Sequence, residues 1–191
     1  MRYNIVMVYW IKRWMIWIYR WRHCRGFGVQ SPSDYSFIRY VINEHYPYYA
    51  YDELYDQLNI GKFKKKKAEL LFRIANWKQA KYAILLFNDD VYRKYIHYGC
   101  RKTVISSQYV CDNSFLVISA LDLDDSSISR ILDNMRHDSL VVIDNLNDKQ
   151  ARKVWKKFIA DDRVTISFDL YYIGIAMTID KRYKHNYIVN F

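Results

Sequence analysis

The sequence predicts an α/β fold built on a mostly parallel sheet, and two patterns in the chain predict it. From residue 82 onward, short continuous apolar runs alternate with helix-like stretches, as in parallel strands whose two faces are both covered by crossover helices. Three apolar runs near the C-terminus have no helix between them, so we expect antiparallel strands at one edge of the sheet. A length of 191 residues, 51% of them hydrophobic, suits one compact domain.

Residues 1–80 are expected to form an N-terminal helical region, which belongs to the same domain as an α/β core at 81–191. The predicted helices of the first region are 3–22, 34–44, 52–59 and 68–77. The predicted strands of the core are 82–87, 103–106, 115–120, 140–144, 164–170, 173–179 and 187–191. The helices predicted between these strands are 91–98, 126–136 and 149–160.

Charge and cysteine usage limit the classes to which the protein can belong. The formal net charge of +10 favours an anionic partner such as nucleic acid or a membrane surface, although no base-reading or stacking module is recognisable in the sequence. Cys24, Cys100 and Cys111 match no zinc or disulfide spacing, which is typical of a reduced intracellular protein. Lys12 and Arg13 interrupt the apolar N-terminus before it reaches a membrane-spanning length. We therefore expect a cytoplasmic protein, with peripheral attachment to a membrane as the alternative.

Four tryptophans share one side of the first predicted helix. Trp10, Trp14, Trp17 and Trp21 are spaced 4, 3 and 4 residues apart, which places them within a stripe of about 60°. One interpretation is an amphipathic helix that lies on an anionic membrane, with tryptophan at the level of the headgroups. The interpretation that we favour is a stripe packed on the domain or on a partner chain, because such stripes usually belong to a core or an interface.

A second basic feature is the run from Lys62 to Lys67. It precedes the helix predicted at 68–77, where positive charge opposes the helix dipole. An anionic partner would favour lysines at this position, whereas a solvated turn is the commoner origin of a short basic run. The sequence leaves both interpretations open.

Polar residues follow the predicted parallel strands, where ligands bind in open α/β sheets. The turn after the first strand contains no glycine, although glycine is the residue that lets the backbone approach a phosphate or sugar. The same polar residue types also dominate ordinary turns and helix caps. The candidate site residues are Asn88, Asp89, Asp90, Ser106, Ser107, Asp122, Asp144, Asn145 and, between the C-terminal strands, Tyr171.

Asp122, Asp144 and Asn145 would together offer oxygen ligands of the kind that Mg²⁺ or Ca²⁺ prefers. A dipeptide and one loosely placed acid are a weak motif, and no metal site is predicted from them. No catalytic residue is identified either, because neither the histidines nor the cysteines have a recognisable partner in the sequence.

Four stretches of the chain resemble a known family. They are Gly26-Phe27-Gly28-Val29-Gln30-Ser31-Pro32, Pro47-Tyr48-Tyr49-Ala50-Tyr51, and residues 71–76 and 164–176. With the expected sheet layout, they are similar to a bacterial family of class I S-adenosylmethionine-dependent methyltransferases, of which this chain would be a divergent and shortened member. The resemblance implies a Rossmann-like sheet and S-adenosylmethionine as cofactor. It places Asn88, Asp89, Asp90, Ser106 and Ser107 on the cofactor side, and Asp122, Asp144, Asn145 and Tyr171 on the substrate side.

The chain departs from this family where the cofactor would be held. Leu86 and Asn88 stand at the positions of an acidic residue and a glycine, and Ser106 or Ser107 replaces the acid that would hold the ribose hydroxyls. A serine binds a diol less well than a carboxylate, which has two acceptor oxygens. The segment before Phe115 is also short for the family's third strand and its helix.

Three functions follow as alternatives. The first is a divergent methyltransferase with an unidentified acceptor, in which positioning supplies much of the catalysis. The second is a non-catalytic, methyltransferase-like binding or scaffold protein. The third is a basic adaptor that uses the tryptophan helix and the lysine run on a membrane surface or nucleic acid. A homo-oligomer formed through the same helix and run is the alternative to an anionic surface as partner.

Overall fold

A computed structural model describes residues 2–58, 60–108, 114–119, 123–135 and 137–191, without the side chains of 2–10, 24, 25 and 114. The helices are α1 (Arg2–Tyr19), a 3₁₀ helix (Trp21–Gly26), α2 (Pro32–Phe37), a π-helix (Ile38–Ile42), α3 (Tyr49–Leu58), α4 (Lys62–Lys78), α5 (Asp90–Gly99), α6 (Asp125–Asn134) and α7 (Lys149–Ala160). The strands are β1 (Tyr82–Leu85), β2 (Val104–Ser106), β3 (Ser114–Ser119), β4 (Leu140–Asp144), β5 (Ile166–Asp169), β6 (Ile173–Met177) and β7 (His185–Ile188).

The described strands form one seven-stranded sheet with the order β2-β1-β3-β4-β6-β5-β7. Only β6 among them is reversed, since it pairs antiparallel with both β4 and β5. The prediction of an α/β fold with a mostly parallel sheet is therefore confirmed.

The prediction of three antiparallel C-terminal strands is right for β5 and β6 and wrong for β7. β7 pairs parallel with β5, with Ile166 opposite His185 and Asp169 opposite Ile188. The reason lies in the connection at 178–184. β6 returns the chain to the edge at which β5 begins, so the connection passes the start of β5 and β7 runs in the same direction as β5.

Helices cover both faces of the sheet because the central strands are apolar on both sides. Every residue of β4 is buried. Leu140 and Val142 join a cluster with α2–α5, whereas Val141 and Ile143 join a second cluster with α6 and α7. The first cluster unites side chains from before and after residue 80.

The basic run is helical, contrary to the prediction that it precedes a helix. α4 begins at Lys62 after Gly61, which makes no side-chain cap. Lys64 forms an ion pair with Asp89, and Lys65 lies over the ring of Tyr55 and near Glu69. The repulsion between the lysines and the helix dipole is thus offset by acidic and aromatic groups of the same chain.

Of the two arrangements that we favour for the tryptophan stripe, packing on the domain is wrong for its described members, and packing on a partner chain stays a prediction. Trp14, Trp17 and Trp21 are 67%, 53% and 59% exposed, while the side chain of Trp10 lies outside the described residues. The less exposed side of α1 carries Arg13 and Ile16, and Arg20 directly after the helix lies on the same side. None of the described helices combines the length and apolar character needed to cross a membrane.

Candidate functional site

The candidate site is the carboxyl edge, which we define as the edge of the sheet where β1, β3, β4 and β5 end. The crossover through α5 joins β1 to β2, and the crossover through α6 joins β3 to β4. Since α5 and α6 pack against opposite faces of the sheet, the strand order switches direction between β1 and β3. Ligands of open α/β sheets bind at such a switch point, beyond the carboxyl ends of the strands.

Asp89 follows β1 and is engaged by the protein's own groups. Its Oδ1 accepts hydrogen bonds from the backbone N of Val91 (3.0 Å) and Tyr92 (3.2 Å), which caps the N-terminus of α5. Its Oδ2 lies 2.9 Å from Nζ of Lys64. Asp89 therefore acts as a helix cap and an ion-pair partner, while its neighbours Asn88 and Asp90 are exposed.

Asp144 ends β4 and, among the described carboxylates of the carboxyl edge, is the most enclosed, at 4% exposure. Nζ of Lys67 donates to both of its oxygens, at 2.7 and 2.8 Å. The hydroxyl of Tyr92 donates to Oδ2 at 2.8 Å, and the backbone N of Asn145 donates to Oδ1 at 2.7 Å. These four contacts match the roughly four lone-pair positions of an ionised carboxylate. We call Lys67, Tyr92 and Asp144 the buried cluster.

The electrostatics of the buried cluster favour a neutral tyrosine beside an ion pair. Burial and the adjacent Asp144 carboxylate raise the pKa of Tyr92 far above its usual range. The phenol therefore stays protonated and acts as a donor. Lys67 is 7% exposed and also lies over the ring of Phe63, 5.2 Å from its centroid. A charge buried to this degree requires a partner such as Asp144.

The oxygen ligands considered for a metal ion are not available together. The oxygens of Asp144 accept hydrogen bonds within the buried cluster. Nδ2 of Asn145 donates to Oγ of Ser119 at 3.5 Å. Asp122 lies outside the described residues. Within the ranges that the structure describes, no group of three potential metal ligands occurs.

A third carboxylate of the carboxyl edge, Asp169 at the end of β5, also lies among cations. Arg20, directly after α1, donates to its backbone O at 2.9 Å and to Oδ1 at 3.2 Å, and Arg152 of α7 pairs with Oδ2. The same two guanidinium groups lie 5.3 and 5.1 Å from the ring centroid of Tyr171. Tyr171, predicted to line the substrate side, is thus part of a cation–aromatic cluster.

The two serines after β2 make a local turn. Oγ of Ser106 donates to the backbone O of Gln108 and accepts from its backbone N, both at 3.0 Å. Ser107 is exposed. β2 is the outermost strand beside β1. Of the predicted cofactor residues, only Asp89 is therefore linked to the buried cluster, through the backbone N of Tyr92.

A cavity of about 270 Å³ lies at the switch point. Its volume is below the range of about 300–1,000 Å³ that is typical of small-molecule sites. Among the described residues, none of those predicted to bind the cofactor lines it. The lining consists of Leu86, Phe87, Ile118, Ser119, Leu123, Ser127, Arg130 and Ile131.

No model of a known protein family matches the chain, and no curated protein matches it. The likeness to class I methyltransferases therefore depends on the four sequence stretches and the sheet layout. From the sequence, Asp89 and Asp144 were named as candidates and Lys62–Lys67 as a basic run, but the contacts of Lys64, Lys67 and Tyr92 with these carboxylates were not predicted. Only the excess of lysine at 62–67 could have signalled that α4 supplies counter-charges.

Proposed function

We propose that the protein is a non-catalytic, methyltransferase-like scaffold whose own side chains occupy the carboxyl edge of the sheet. The observation that carries this proposal is the buried cluster, in which Lys67 and Tyr92 occupy the acceptor positions of Asp144. The mostly parallel sheet with its reversed β6 supports the methyltransferase-like part of the proposal.

The energetics of the carboxyl edge argue against ligand entry. A ligand that used Asp144 would have to displace Lys67, and breaking a buried ion pair costs about 3–5 kcal/mol. This cost would weaken the ligand's affinity roughly 100- to 5,000-fold. Asp89 would in addition lose Lys64 and, if it turned toward a ligand, its role as the cap of α5.

Titration with S-adenosylmethionine and S-adenosylhomocysteine tests the proposal. A ligand present at 100 times its Kd stabilises a protein by about 2.7 kcal/mol, which raises the Tm of a chain of this size by about 5–11 °C. We expect no such shift and no calorimetric heat at millimolar ligand. A shift of that size, with matching heat, would refute the scaffold proposal.

A divergent methyltransferase is the second candidate, and the cavity at the switch point favours it. The lining of this cavity lies on the α6 side of the sheet, away from the buried cluster. Binding there would leave Lys67 and Asp144 paired. In that case the Kd for S-adenosylhomocysteine should be the same in a Lys67→Met variant, whereas displacement of Lys67 by the ligand predicts tighter binding by this variant.

A further inference from the structure

α1 and the start of the 3₁₀ helix that follows it present a broad apolar surface to solvent on the side that carries the tryptophans. We call this surface the tryptophan face. Its described members are at least 48% exposed, and Tyr19 reaches 88%. A contiguous exposed apolar surface of this kind marks an interaction site. The described members are Ile11, Trp14, Met15, Trp17, Ile18, Tyr19 and Trp21.

The opposite side of α1 is basic and fixes the helix to the domain. Arg20 pairs with Asp169, and the guanidinium of Arg13 lies 5.4 Å from the ring centroid of Phe63. Asn190, near the C-terminus, donates through Nδ2 to the backbone O of Trp17 at 3.2 Å. These contacts fix the C-terminal half of α1 to the domain. The helix is thereby oriented so that the tryptophan face points to solvent.

The positive charge around the tryptophan face indicates which kind of surface it binds. Residues 1–33 contain no aspartate or glutamate. Lys12 and Arg22 are exposed beside the tryptophan face. A second copy of the chain would bring like charge to the contact, whereas an anionic surface brings opposite charge. The six Lys and Arg residues of this segment are Arg2, Lys12, Arg13, Arg20, Arg22 and Arg25.

A cationic cavity adjoins the tryptophan face. It has a volume of about 230 Å³, and its lining includes Arg13, Arg20 and Lys66 together with Trp17. Its described lining contains no aspartate or glutamate, although Arg20 pairs with Asp169 outside the lining. Burial, followed by repulsion from Arg13, lowers the pKa of Lys66 to about 8, so an anion in this cavity would stabilise the charged form of Lys66.

We propose that α1 docks the protein on an anionic lipid bilayer. The tryptophan face enters the headgroup region, where indole rings are favoured. Lys12, Arg22 and the cationic cavity face the lipid phosphates, and the α/β domain stays in water. This inference is independent of whether the carboxyl edge binds a cofactor.

Sedimentation with vesicles tests the docking, with the full chain and two lipid compositions. We expect binding to vesicles that contain phosphatidylserine to exceed binding to pure phosphatidylcholine by about tenfold or more, because each exposed basic residue adds to the attraction. The preference should decrease as salt is raised. Equal binding to both compositions, or no binding to either, would overturn the proposal.

A triple variant, Trp14→Ala/Trp17→Ala/Trp21→Ala, should lose at least about tenfold in vesicle affinity, because it removes three indoles from the bilayer contact. These side chains are exposed, so its Tm should remain close to that of the wild type. Tyr49→Ala/Tyr183→Ala is the matched control, since it removes two aromatic rings that are 96% and 87% exposed elsewhere. We expect this control to bind as the wild type does.

Analytical ultracentrifugation without lipid separates docking from self-association. We expect the wild type and the triple variant to sediment alike. If the wild type instead forms a dimer that the triple variant does not form, the tryptophan face is a contact between copies and the lipid proposal is wrong. The same conclusion follows if the triple variant binds phosphatidylserine vesicles as tightly as the wild type.

Discussion

Lys67→Met should strongly destabilise the fold, because it leaves Asp144 charged and buried without its counter-ion. Asp144 is 4% exposed and would keep two donors, the hydroxyl of Tyr92 and the backbone N of Asn145. Removal of one partner from a buried ion pair costs about 3–5 kcal/mol. The two remaining donors place the expected loss at about 3 kcal/mol, within the 5–15 kcal/mol of a typical domain, so the variant should still fold.

Urea denaturation followed by circular dichroism at pH 7 measures this loss. The change should appear in the midpoint at an unchanged m value. Lys64→Met is the matched control on the same helix. Its ion pair with Asp89 is on the surface, with the lysine side chain 43% exposed, so we expect a loss of less than about 1 kcal/mol.

The double variant Lys67→Met/Asp144→Asn separates the ion pair from simple packing. The asparagine is neutral and can still accept from Tyr92, so the double variant should be more stable than the sum of the two single changes by about 2 kcal/mol. If the single changes are additive, or if Lys67→Met costs no more than Lys64→Met, the buried cluster does not hold the carboxyl edge closed.

Three further changes test other parts of the fold by the same denaturation measurement. Gly174→Ala should lower the free energy of unfolding by about 1–3 kcal/mol, because a Cβ at Gly174 would lie 2.6 Å from the ring of Trp155. If the loss is smaller than that caused by a Gly→Ala change at an exposed position, this packing is contradicted. Asp34→Ala should cost about 2–4 kcal/mol, because this buried carboxylate accepts from Arg182 at 2.8 Å; an unchanged midpoint would show that the contact is dispensable. Lys66→Gln should add stability below pH 8, because the folded-state pKa of Lys66, about 8, lies below the usual 10.5. Between these two pH values the unfolded chain binds more protons than the folded chain. The wild type therefore gains stability as the pH rises from 8 to 10.5. A constant difference between this variant and the wild type from pH 7 to 10.5 would refute the assignment.

Much of the sheet could be predicted from local pattern. β1 and β4 lie inside predicted apolar runs, and β3 begins one residue before its run, because strands that are buried on both faces need apolar side chains at nearly every position. Asp89 and Asp144 were located at the carboxyl edge for the same reason, since Asp89 lies two residues after one such run and Asp144 ends another. The parallel direction of β7 could not be predicted from its sequence. It depends on the edge of the sheet at which the chain leaves β6.

The partners of the candidate residues could not be predicted. Lys67 and Asp144 are 77 positions apart in the chain, and no spacing rule connects a helix to a strand over that distance. The lysine run was expected before a helix because its charge opposes the helix dipole. Its helical state depends on acidic and aromatic groups that only the packed chain brings near it.

The sequence by itself determined the α/β class, the approximate positions of β1 to β6 and the spacing of the tryptophans on one side of the N-terminal helix, because each is a property of neighbouring residues and helical or strand periodicity. Tertiary structure alone decided which way that side faces and what the edge carboxylates bind. Arg20 pairs with Asp169, so the tryptophan face points outward, and Lys67 reaches Asp144, so the protein itself supplies the counter-charge of this carboxylate. Both outcomes depend on charges that are distant in sequence and meet only when α1 and α4 pack on the sheet.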